Sequence, residues 1–334
     1  MSESFIQSTW AQQDDSFESP LRPSSLEDFM GQEEPKRRLS VFIKAAKQRG
    51  EPLGHILLYG PPGLGKTTLA QILAKSMGTS LVTTSGPTIE KAADLAGILT
   101  SLQRGDILFI DEIHRLGKTI EEYLYPAMED FHLDLLIDSG QNSRGVRVKL
   151  NPFTLVGATT RIGLISSPMR SRFAFSCRLD YYEPKVLAQI LLRSACILKV
   201  KLTDEGALEI ASRSRGTPRI ANHLLRWVRD YTQIHEIAPI NGKVASEALE
   251  MLAVDHRGLE EVDKKILEIL IDHHGGGPVG VSTIAVAIGE DPITVAEVYE
   301  PYLIMQGFLT RTPRGRQVTP LAYKHLGKPF QGEA

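Results

Sequence analysis

The sequence predicts an α/β domain with a parallel sheet and an inserted β-hairpin, followed by a small helical domain and a third domain of helices and a basic hairpin. Up to residue 183, short apolar runs alternate with stretches of helical spacing, as in strands buried between helices. Beyond it, only helical patterns follow until a basic turn near the end. We expect a disordered N-terminus over 1–20, the α/β domain over 21–183, the helical domain over 184–254 and the third domain over 255–334.

The composition is typical of a globular protein, and the length predicts two or three domains. The chain has 334 residues, of which 42% are hydrophobic and 23% charged, and its net charge of −2 gives no overall sign of nucleic-acid binding. No apolar run is long enough to cross a bilayer, and the first residues are polar. Cys177 and Cys196 lie far apart and are expected to be buried in a reducing cytosol. We therefore expect a cytoplasmic protein without membrane contact.

The elements of the α/β domain follow in order. An apolar run at 55–59 leads into a loop of glycine and proline and then into helical spacing at 67–77. Two further apolar runs, 107–110 and 153–158, are predicted to be buried strands. Between them, residues 133–150 alternate apolar and polar side chains around a polar turn, which predicts a β-hairpin.

The loop after the first strand has the residues of a phosphate-binding loop. Residues 60–67, Gly-Pro-Pro-Gly-Leu-Gly-Lys-Thr, match GxxxxGK[ST] at every fixed position. Glycines let backbone N–H groups curl around phosphate oxygens, Lys66 brings a cation to them, and the Thr67 hydroxyl is a ligand for Mg²⁺. A plain glycine-rich turn is the alternative, but the position between a strand and a helix favours nucleotide binding.

An acidic pair ends the second apolar run. Asp111 and Glu112 directly follow the residues at 107–110. Asp111 is predicted to hold the metal ion through its water shell, and Glu112 to orient or deprotonate the attacking water. Together the two motifs predict an ATPase that uses ATP with Mg²⁺.

The last domain has three helical stretches before a basic turn. Residues 301–330 contain five basic side chains and no acidic one. Pro313 and Gly315 favour a turn. Arg311 and Arg316 then lie on the two legs of a hairpin, and three helices with such a hairpin form a winged-helix domain. We predict that these arginines hold DNA phosphates, with a solvated surface turn as the alternative.

With these motifs, the chain resembles the AAA+ class of ATPases and, within it, the bacterial RuvB family of Holliday junction branch migration motors. The resemblance covers about residues 21–327. Many AAA+ proteins share the phosphate-binding loop, whereas Gly-Ala-Thr-Thr-Arg at 157–161, the inserted hairpin and Thr-Pro-Arg-Gly-Arg at 312–316 are narrower signals. Two further segments support the resemblance: Asp-Glu-Ile-His-Arg-Leu at 111–116 and Arg-Gly-Thr-Pro-Arg at 215–219.

The resemblance implies three more residues around the phosphates. Thr160 is implied as the sensor of the γ-phosphate or attacking water, and Thr159 stays open as an alternative. Arg172 is implied as an arginine finger that reaches the site of a neighbouring subunit, with Arg170 as its competitor. Arg219 is implied as a second sensor on the helical domain. Because a finger acts between chains, the resemblance implies a homo-oligomer, a hexameric ring.

A pocket for the rest of the nucleotide is also implied, although Tyr182 and Phe131 have an alternative as core aromatics. Its residues lie before the first strand, at the domain junction and after a helix of the α/β domain. The implied ATP-binding residues are Leu21, Arg22, Gly63, Gly65, Lys66, Thr67, Thr68, Glu129, Asp130, Phe131, Arg172, Tyr182 and Arg219.

The partners implied by the resemblance are DNA and two proteins. A RuvA-type protein that binds four-way junctions loads the ring, and a RuvC-type nuclease resolves the product. The hairpin at 133–150 is the implied docking element for RuvA, with a structural flap over the sheet as the alternative.

Two other classes of AAA+ protein are disfavoured. Protein unfoldases commonly place an aromatic residue in a pore loop between the two motifs, and residues 83–106 contain no aromatic side chain. A non-motor switch is the third hypothesis. Transcriptional activators of this class carry a GAFTGA-like loop, which is absent, and clamp loaders usually lack a basic terminal wing.

Overall fold

A computed structural model describes residues 15–137 and 144–330 of the chain. Among the helices of these residues, none combines the length and the apolar character that crossing a membrane requires. The described chain forms two compact units. The first unit is Arg22–Tyr182 with Thr217–Arg219, and the second is helix α1 (Asp15–Leu21), Glu183–Gly216 and the chain from Ile220 onward.

The first unit is an α/β domain. Its elements are α2 (Glu33–Arg49), β1 (Ile56–Tyr59), α3 (Lys66–Met77), β2 (Leu81–Ser85), α4 (Ala92–Ser101), β3 (Ile107–Asp111), α5 (Lys118–Glu129), β4 (His132–Ile137), β5 (Arg144–Lys149), β6 (Thr154–Thr159), α6 (Ser167–Ser171) and β7 (Phe175–Arg178). Five parallel strands form one sheet in the order β2-β3-β6-β1-β7, and β4 pairs antiparallel with β5. The predicted parallel sheet and inserted hairpin are therefore confirmed.

The order of the strands determines where the functional loops meet. Strands β1, β3 and β6 are apolar because helices cover the sheet, and Leu57, Leu108 and Leu155 in them are fully buried. In a parallel sheet all carboxyl ends lie at one edge. Because β3, β6 and β1 are neighbours, the segments that follow them lie side by side at the carboxyl edge.

The hairpin of β4 and β5 is anchored at its base. Leu133 and Leu150 are buried in the core of the first unit together with Phe153. Further along the strands, Leu135 pairs with Val146, whose exposed fraction is 40%. The hairpin is thus tied to the domain by its first residues, while its turn lies outside the described residues.

The second unit is helical apart from one hairpin. Its elements after α1 are α7 (Pro184–Ile197), α8 (Asp204–Ser212), α9 (Pro218–Ile234), α10 (Gly242–Met251), α11 (Glu261–His274), α12 (Val281–Ile288), α13 (Pro292–Thr294), a π-helical turn (Val295–Tyr299), α14 (Glu300–Met305), β8 (Leu309–Thr312), β9 (Gly315–Val318) and α15 (Pro320–His325). Strands β8 and β9 pair antiparallel with Arg311 opposite Arg316. The predicted helical domain and the winged helix are confirmed.

The structure differs from the predicted disordered N-terminus within residues 15–20. These residues belong to helix α1, while residues 1–14 lie outside the described residues. Glu18 approaches Nε2 of His223 at 3.1 Å, and the Phe17 ring lies 4.9 Å from the guanidinium of Arg226. These tertiary contacts order a polar segment that has no periodic pattern of its own.

The two cysteines have different surroundings. Cys177 is buried in β7, as expected, and burial raises the pKa of its thiol to about 11. Cys196 is exposed near the end of α7, so the prediction that it is buried was wrong. Both are free thiols, as their separation in the sequence predicts.

A buried ion pair joins the helical domain to the winged helix inside the second unit. Arg215 donates to the carboxylate of Asp263 and lies 2.9 Å from Oε1 of Glu260. Its Nε donates to the carbonyl of Gly258 at 2.9 Å, and its guanidinium lies 4.7 Å from the centre of the Tyr302 ring. Arg215 is 7% exposed and Asp263 is fully buried. Such a pair is costly to break, because either partner alone would be a buried charge.

Candidate functional site

The loop between β1 and α3 has the backbone path of a phosphate-binding loop. Gly63 and Gly65 have φ angles of 74° and 100°, which side chains rarely allow. A Cβ at Gly63 would lie 2.6 Å from Cγ2 of Thr217, and a Cβ at Gly65 would lie 3.0 Å from the Phe29 ring. Both positions therefore require glycine. Helix α3 begins at Lys66 without a side-chain cap, which leaves its first N–H groups for an anion.

Lys66 is the buried cation of this loop. Its Nζ donates to the carbonyl oxygens of Gly60 and Pro61, each at 2.8 Å. Burial lowers the pKa of Lys66, and the negative charges of Asp111 and Glu112 oppose that effect. A cation in such a poorly solvated position attracts phosphate more strongly than one in water.

Thr67 and Asp111, the predicted metal ligands, both lie at the carboxyl edge, after strands β1 and β3 that flank β6. Thr67 is partly exposed in the first turn of α3, whereas Thr68 is buried. Asp111 ends β3, and its Oδ1 accepts a hydrogen bond from the backbone N–H of Glu112 at 2.9 Å. Burial raises the pKa of Asp111, while that hydrogen bond and the charge of Arg219 oppose the rise. The half-buried Asp111 carboxylate thus lies within reach of the positive charges of Lys66 and Arg219.

Glu112 is held by side chains from two loops. Its φ of 46° is unusual for a residue with a side chain and costs about 1–3 kcal/mol, so it persists only because surrounding contacts hold it. Thr160 Oγ1 donates to Glu112 Oε2 at 3.2 Å, and His114 Nδ1 lies 3.1 Å from the same oxygen. Thr159 is fully buried and lies 2.9 Å from His114 Nδ1. The structure thus brings Thr160 directly to Glu112, and it adds His114, to which the sequence patterns assign no role.

Arg219 and Tyr182 lie against the back of the phosphate-binding loop. A Cβ at Gly63 would lie 3.1 Å from Cβ of Arg219. The hydroxyl of Tyr182 donates to the carbonyl oxygen of Leu64 at 3.3 Å. Burial raises the pKa of Tyr182 far above its ordinary value, so the phenol stays neutral and donates. Both predicted residues therefore belong to the surroundings of this loop.

Leu21 and Arg22 lie where the chain passes from one compact unit to the other. Leu21 ends α1 in the second unit and is buried, and its carbonyl accepts a hydrogen bond from Arg193 at 2.9 Å. Arg22 is the first residue of the first unit. The two predicted residues are therefore consecutive in the chain but divided between the units.

Arg172 lies at the other edge of the sheet. It follows α6 and precedes β7, whose amino end aligns with the amino end of β1. Its Nη1 donates to the carbonyl of Pro168 at 2.7 Å, and its Nη2 lies 3.2 Å from Oε1 of Glu129. Its guanidinium lies 4.3 Å from the centre of the Tyr125 ring. The competing Arg170 is exposed.

Glu129, Asp130 and Phe131 also lie away from the phosphate-binding loop of their own chain. Phe131 packs edge-on against Phe153 with ring centroids 6.0 Å apart, and Phe153 directly precedes β6. The amino and carboxyl edges are separated by the length of a strand, about 13 Å for a strand of four residues such as β1. These three predicted residues therefore accompany Arg172 and do not line the nucleotide loop of the same chain.

The basic hairpin of the winged helix has an acidic partner that the sequence window 301–330 leaves out. Arg311 Nε donates to Glu300 Oε1 at 2.8 Å, and Arg316 Nη2 donates to Glu300 Oε2 at 2.8 Å. Glu300 is 1% exposed. Burial alone would raise its pKa, but the hydrogen bonds from the two arginines outweigh burial and hold the pKa below the ordinary value. The legs of the hairpin are as predicted, but their charges are partly neutralised.

The strand order, the glycine loop after β1 and the acidic pair at the end of β3, one strand removed from β1, define a P-loop ATPase of the AAA+ class. Three family models match consecutive parts of the chain. They are described as the Holliday junction DNA helicase RuvB P-loop domain (residues 21–179), the RuvB AAA lid domain (182–255) and the RuvB C-terminal winged helix domain (256–327). The chain belongs to the RuvB family.

Relatives and solved structures agree with this membership. The Holliday junction branch migration complex subunit RuvB of Protochlamydia amoebophila is 64% identical over 98% of each chain. The subunit of the same name from Chlamydia pneumoniae is 59% identical over 94% of this chain and 93% of its own. The solved structure of the Thermotoga maritima RuvB Holliday junction branch migration motor is 51% identical, with a TM-score of 0.84, and covers 93% of this chain and 99% of its own.

Proposed function

We propose that this chain hydrolyses ATP in a hexameric ring of identical subunits and uses each cycle to move duplex DNA during branch migration at Holliday junctions. One observation carries the proposal: the groups for phosphoryl transfer are divided between the two edges of one sheet. Lys66 and Glu112 lie at the carboxyl edge, and Arg172 lies at the amino edge. A ring unites the two edges, because each interface brings the amino edge of one chain to the carboxyl edge of the next.

ATP with Mg²⁺ fits the residues at the carboxyl edge. The glycine-lined loop has no room for side chains. The buried Lys66 near Asp111 suits a negatively charged polyphosphate with a bound metal ion. Thr67 and Asp111 would hold the ion together with phosphate oxygens and waters. No group of three or more His, Cys, Asp or Glu side chains within the described part of the chain could hold a metal ion. When bound, Mg²⁺ neutralises charge on the phosphates.

The remaining groups of the carboxyl edge act on the reaction itself. Glu112 orients or deprotonates the attacking water, and Thr160, bonded to the same carboxylate, senses the γ-phosphate. Arg219, behind Gly63, adds a positive charge at the loop, and Tyr182 supports the backbone at Leu64. Leu21, Arg22 and Thr68 complete the nucleotide pocket.

Arg172 acts on the nucleotide of the adjacent subunit. An arginine stabilises the charge that spreads over the transferring phosphoryl group, and its planar fork of donors suits that task. Glu129, Asp130 and Phe131 lie beside Arg172 and belong to the same surface between subunits. These residues therefore contact the neighbour's nucleotide and not their own.

The winged helix holds the DNA backbone through its wing. Two arginines share the single carboxylate of Glu300, so the cluster keeps a net positive charge. The side chain of Arg311 is 58% exposed and that of Arg316 only 15%, which favours Arg311 for phosphate contact and Arg316 for holding the hairpin. Arg314 is exposed at the turn between the legs. Phosphate contacts suit a motor because they are the same at every sequence.

The partners are a junction-binding protein of the RuvA type, which docks on the hairpin at 133–150, and a resolving nuclease of the RuvC type. The exposed Val146 beside Leu135 and the anchored base of the hairpin support a docking role. The chain acts in the cytoplasm, in DNA recombination and repair.

The deciding experiment is strand displacement from a synthetic four-way junction, with and without a RuvA-type protein. We expect ATP-dependent displacement that RuvA accelerates and that Lys66→Ala abolishes. Lys243→Ala is a matched control, because its side chain is 85% exposed on α10 and far in sequence from every group assigned above. ATP hydrolysis that ignores junction DNA, without displacement under any condition, would favour a non-motor switch.

A further inference from the structure

Two side chains from different loops approach the same oxygen of the Glu112 carboxylate. Thr160 Oγ1 lies 3.2 Å from Oε2, and His114 Nδ1 lies 3.1 Å from Oε2. Among the described residues, both side-chain contacts of this carboxylate fall on that oxygen. The other oxygen, Oε1, is therefore the one that can accept a proton or a hydrogen bond from water. The hydrogen bond from Thr160 and the approach of His114, both at Oε2, determine in which direction Oε1 points.

The chemistry of the contact defines the tautomer of His114. An ionised carboxylate only accepts hydrogen bonds, so the ring nitrogen at 3.1 Å from it must carry the proton. Burial lowers the pKa of His114, which keeps the ring neutral near pH 7 and leaves a single proton to be shared between its two nitrogens. With that proton on Nδ1, the N–H makes its hydrogen bond to Thr159 Oγ1 at 2.9 Å and lies 3.1 Å from Glu112 Oε2.

A second layer holds the ring of His114. Thr159 Oγ1 lies 2.9 Å from Nδ1 and itself accepts the backbone N–H of Arg161 at 2.9 Å. Thr159 is fully buried at the end of β6, and the side chain of His114 is 7% exposed. The ring therefore stands between a buried strand end and the carboxylate, in a place where it cannot turn freely.

We propose that His114 is a positioning residue for ATP hydrolysis: its Nδ1–H, held by Thr159 at 3.1 Å from Oε2, acts with the Thr160 hydroxyl to fix Oε2 of Glu112 so that Oε1 faces the attacking water. The inference rests on the proposed role of Glu112 as the carboxylate that acts on water. It also explains how the φ of 46° at Glu112 is maintained, because the side chain accepts a hydrogen bond from Thr160 and lies 3.1 Å from His114.

An isosteric pair of variants tests the donor directly. In His114→Asn the amide nitrogen can occupy the position of Nδ1 and donate, whereas in His114→Asp the same position carries an oxygen that only accepts. His114→Leu removes the polar group altogether. The full-length chain is assayed for steady-state ATPase with junction DNA, for binding of a fluorescent ATP analogue and for its melting temperature.

The proposal expects a loss in kcat and not in binding. His114→Leu and His114→Asp should lower kcat by roughly 10–100-fold, as expected for a lost hydrogen bond to a charged group, with KM for ATP and analogue affinity within about 2-fold of wild type. His114→Asn should recover kcat to within roughly 3-fold. Wild-type kcat in His114→Leu, or a loss in His114→Asn equal to that in His114→Asp, would overturn the proposal. If the leucine variant does not fold, the comparison of the Asn and Asp variants alone decides.

Glu112→Gln separates this inference from the proposal on which it rests. If Glu112→Gln hydrolyses ATP at the wild-type rate, the assignment of Glu112 fails and the role of His114 fails with it. If Glu112→Gln is inactive while both His114→Leu and His114→Asp are fully active, only the positioning role of His114 fails.

Discussion

In one and the same subunit, Nη2 of Arg172 lies 3.2 Å from Oε1 of Glu129. The guanidinium also covers the ring of Tyr125 and bonds to the carbonyl of Pro168, and the side chain is only 19% exposed. The proposed finger is therefore oriented by its own helix α5 before any neighbour arrives. Orientation of this kind lowers the entropy that a long side chain loses on binding a phosphate.

Arg172→Ala should leave ATP binding nearly unchanged and lower kcat by roughly 1,000-fold or more, because it removes a group needed mainly in the transition state. When Arg172→Ala subunits are mixed with excess wild type, ATPase activity should fall by more than the fraction of variant subunits in the mixture. The measurement is ATPase rate against mixing ratio. Arg170→Ala, two residues away and exposed, is the matched control and should retain activity. If the ATPase rate fell strictly in proportion to the fraction of variant subunits, Arg172 would act on the nucleotide of its own subunit or have no role in hydrolysis.

Lys66→Ala should abolish ATP binding, whereas Glu112→Gln should bind ATP and stop hydrolysing it. Lys66 stabilises the phosphates in the ground state, while Glu112 acts on the water. Equilibrium binding of a fluorescent nucleotide and single-turnover hydrolysis distinguish the two effects. Hydrolysis at a normal rate by Glu112→Gln would show that another group acts on the water.

Arg311→Ala should weaken DNA binding about equally for all sequences. Each lost phosphate contact should reduce the slope of log K against log salt by roughly 0.9 for duplex DNA. ATP binding should not change, while DNA stimulation of hydrolysis should fall. The measurement is duplex affinity at several salt concentrations, with Lys243→Ala as the control for loss of one exposed charge. An unchanged affinity and slope would place the DNA contact elsewhere.

The winged helix should lose stability in acid through Glu300. The folded pKa of Glu300 lies below its ordinary 4.5, so its contribution is present above pH 4.5 and is lost as pH falls through the lower folded value. Glu300→Gln should cost about 1–3 kcal/mol at pH 7, because hydrogen bonds to a charged acceptor are lost. It should also flatten the fall in melting temperature below pH 4.5. Equal acid sensitivity in wild type and variant would contradict the assignment.

Polar substitution of Leu135 and Ile137 should prevent docking on a RuvA-type protein and leave basal ATPase unchanged. Both residues lie on β4 beyond the anchored base of the hairpin. Pull-down with RuvA and ATPase without RuvA are the measurements. Leu133→Ser is the comparison variant, because Leu133 is buried in the core and its loss should lower the melting temperature instead. Wild-type recovery of RuvA by the double variant would contradict docking, and gross unfolding would support the flap.

Much of the nucleotide site could be predicted because its functional residues lie in short contiguous segments of the sequence. Phosphate binding needs glycines and a lysine at fixed spacing, and the acidic pair ends a recognisable apolar strand. His114 could not be identified in this way. Its partner Thr159 is 45 residues away in sequence, and the two meet only because β3 and β6 are neighbours in the sheet.

The wing shows a different limit of the sequence pattern. Pro313 and Gly315 indicate the turn, and Arg311 and Arg316 do face each other on its legs. The charge of Glu300 was missed because it belongs to α14 and becomes relevant only when that helix packs under the hairpin. Helix α1 was missed for a related reason, since its stability comes from contacts with α9 and not from its own pattern.

The buried pair of Arg215 and Asp263 has a mechanical consequence. Thr217 and Arg219 belong to the unit of the phosphate-binding loop, and Arg215 is separated from Thr217 by a single glycine. Pulling Arg215 away from Asp263 would leave an uncompensated buried charge at a cost of roughly 3–5 kcal/mol. Within the second unit, the pair therefore ties the helical domain to the winged helix. We expect any rotation of the helical domain to carry the winged helix with it, because bending at this joint would break the buried pair.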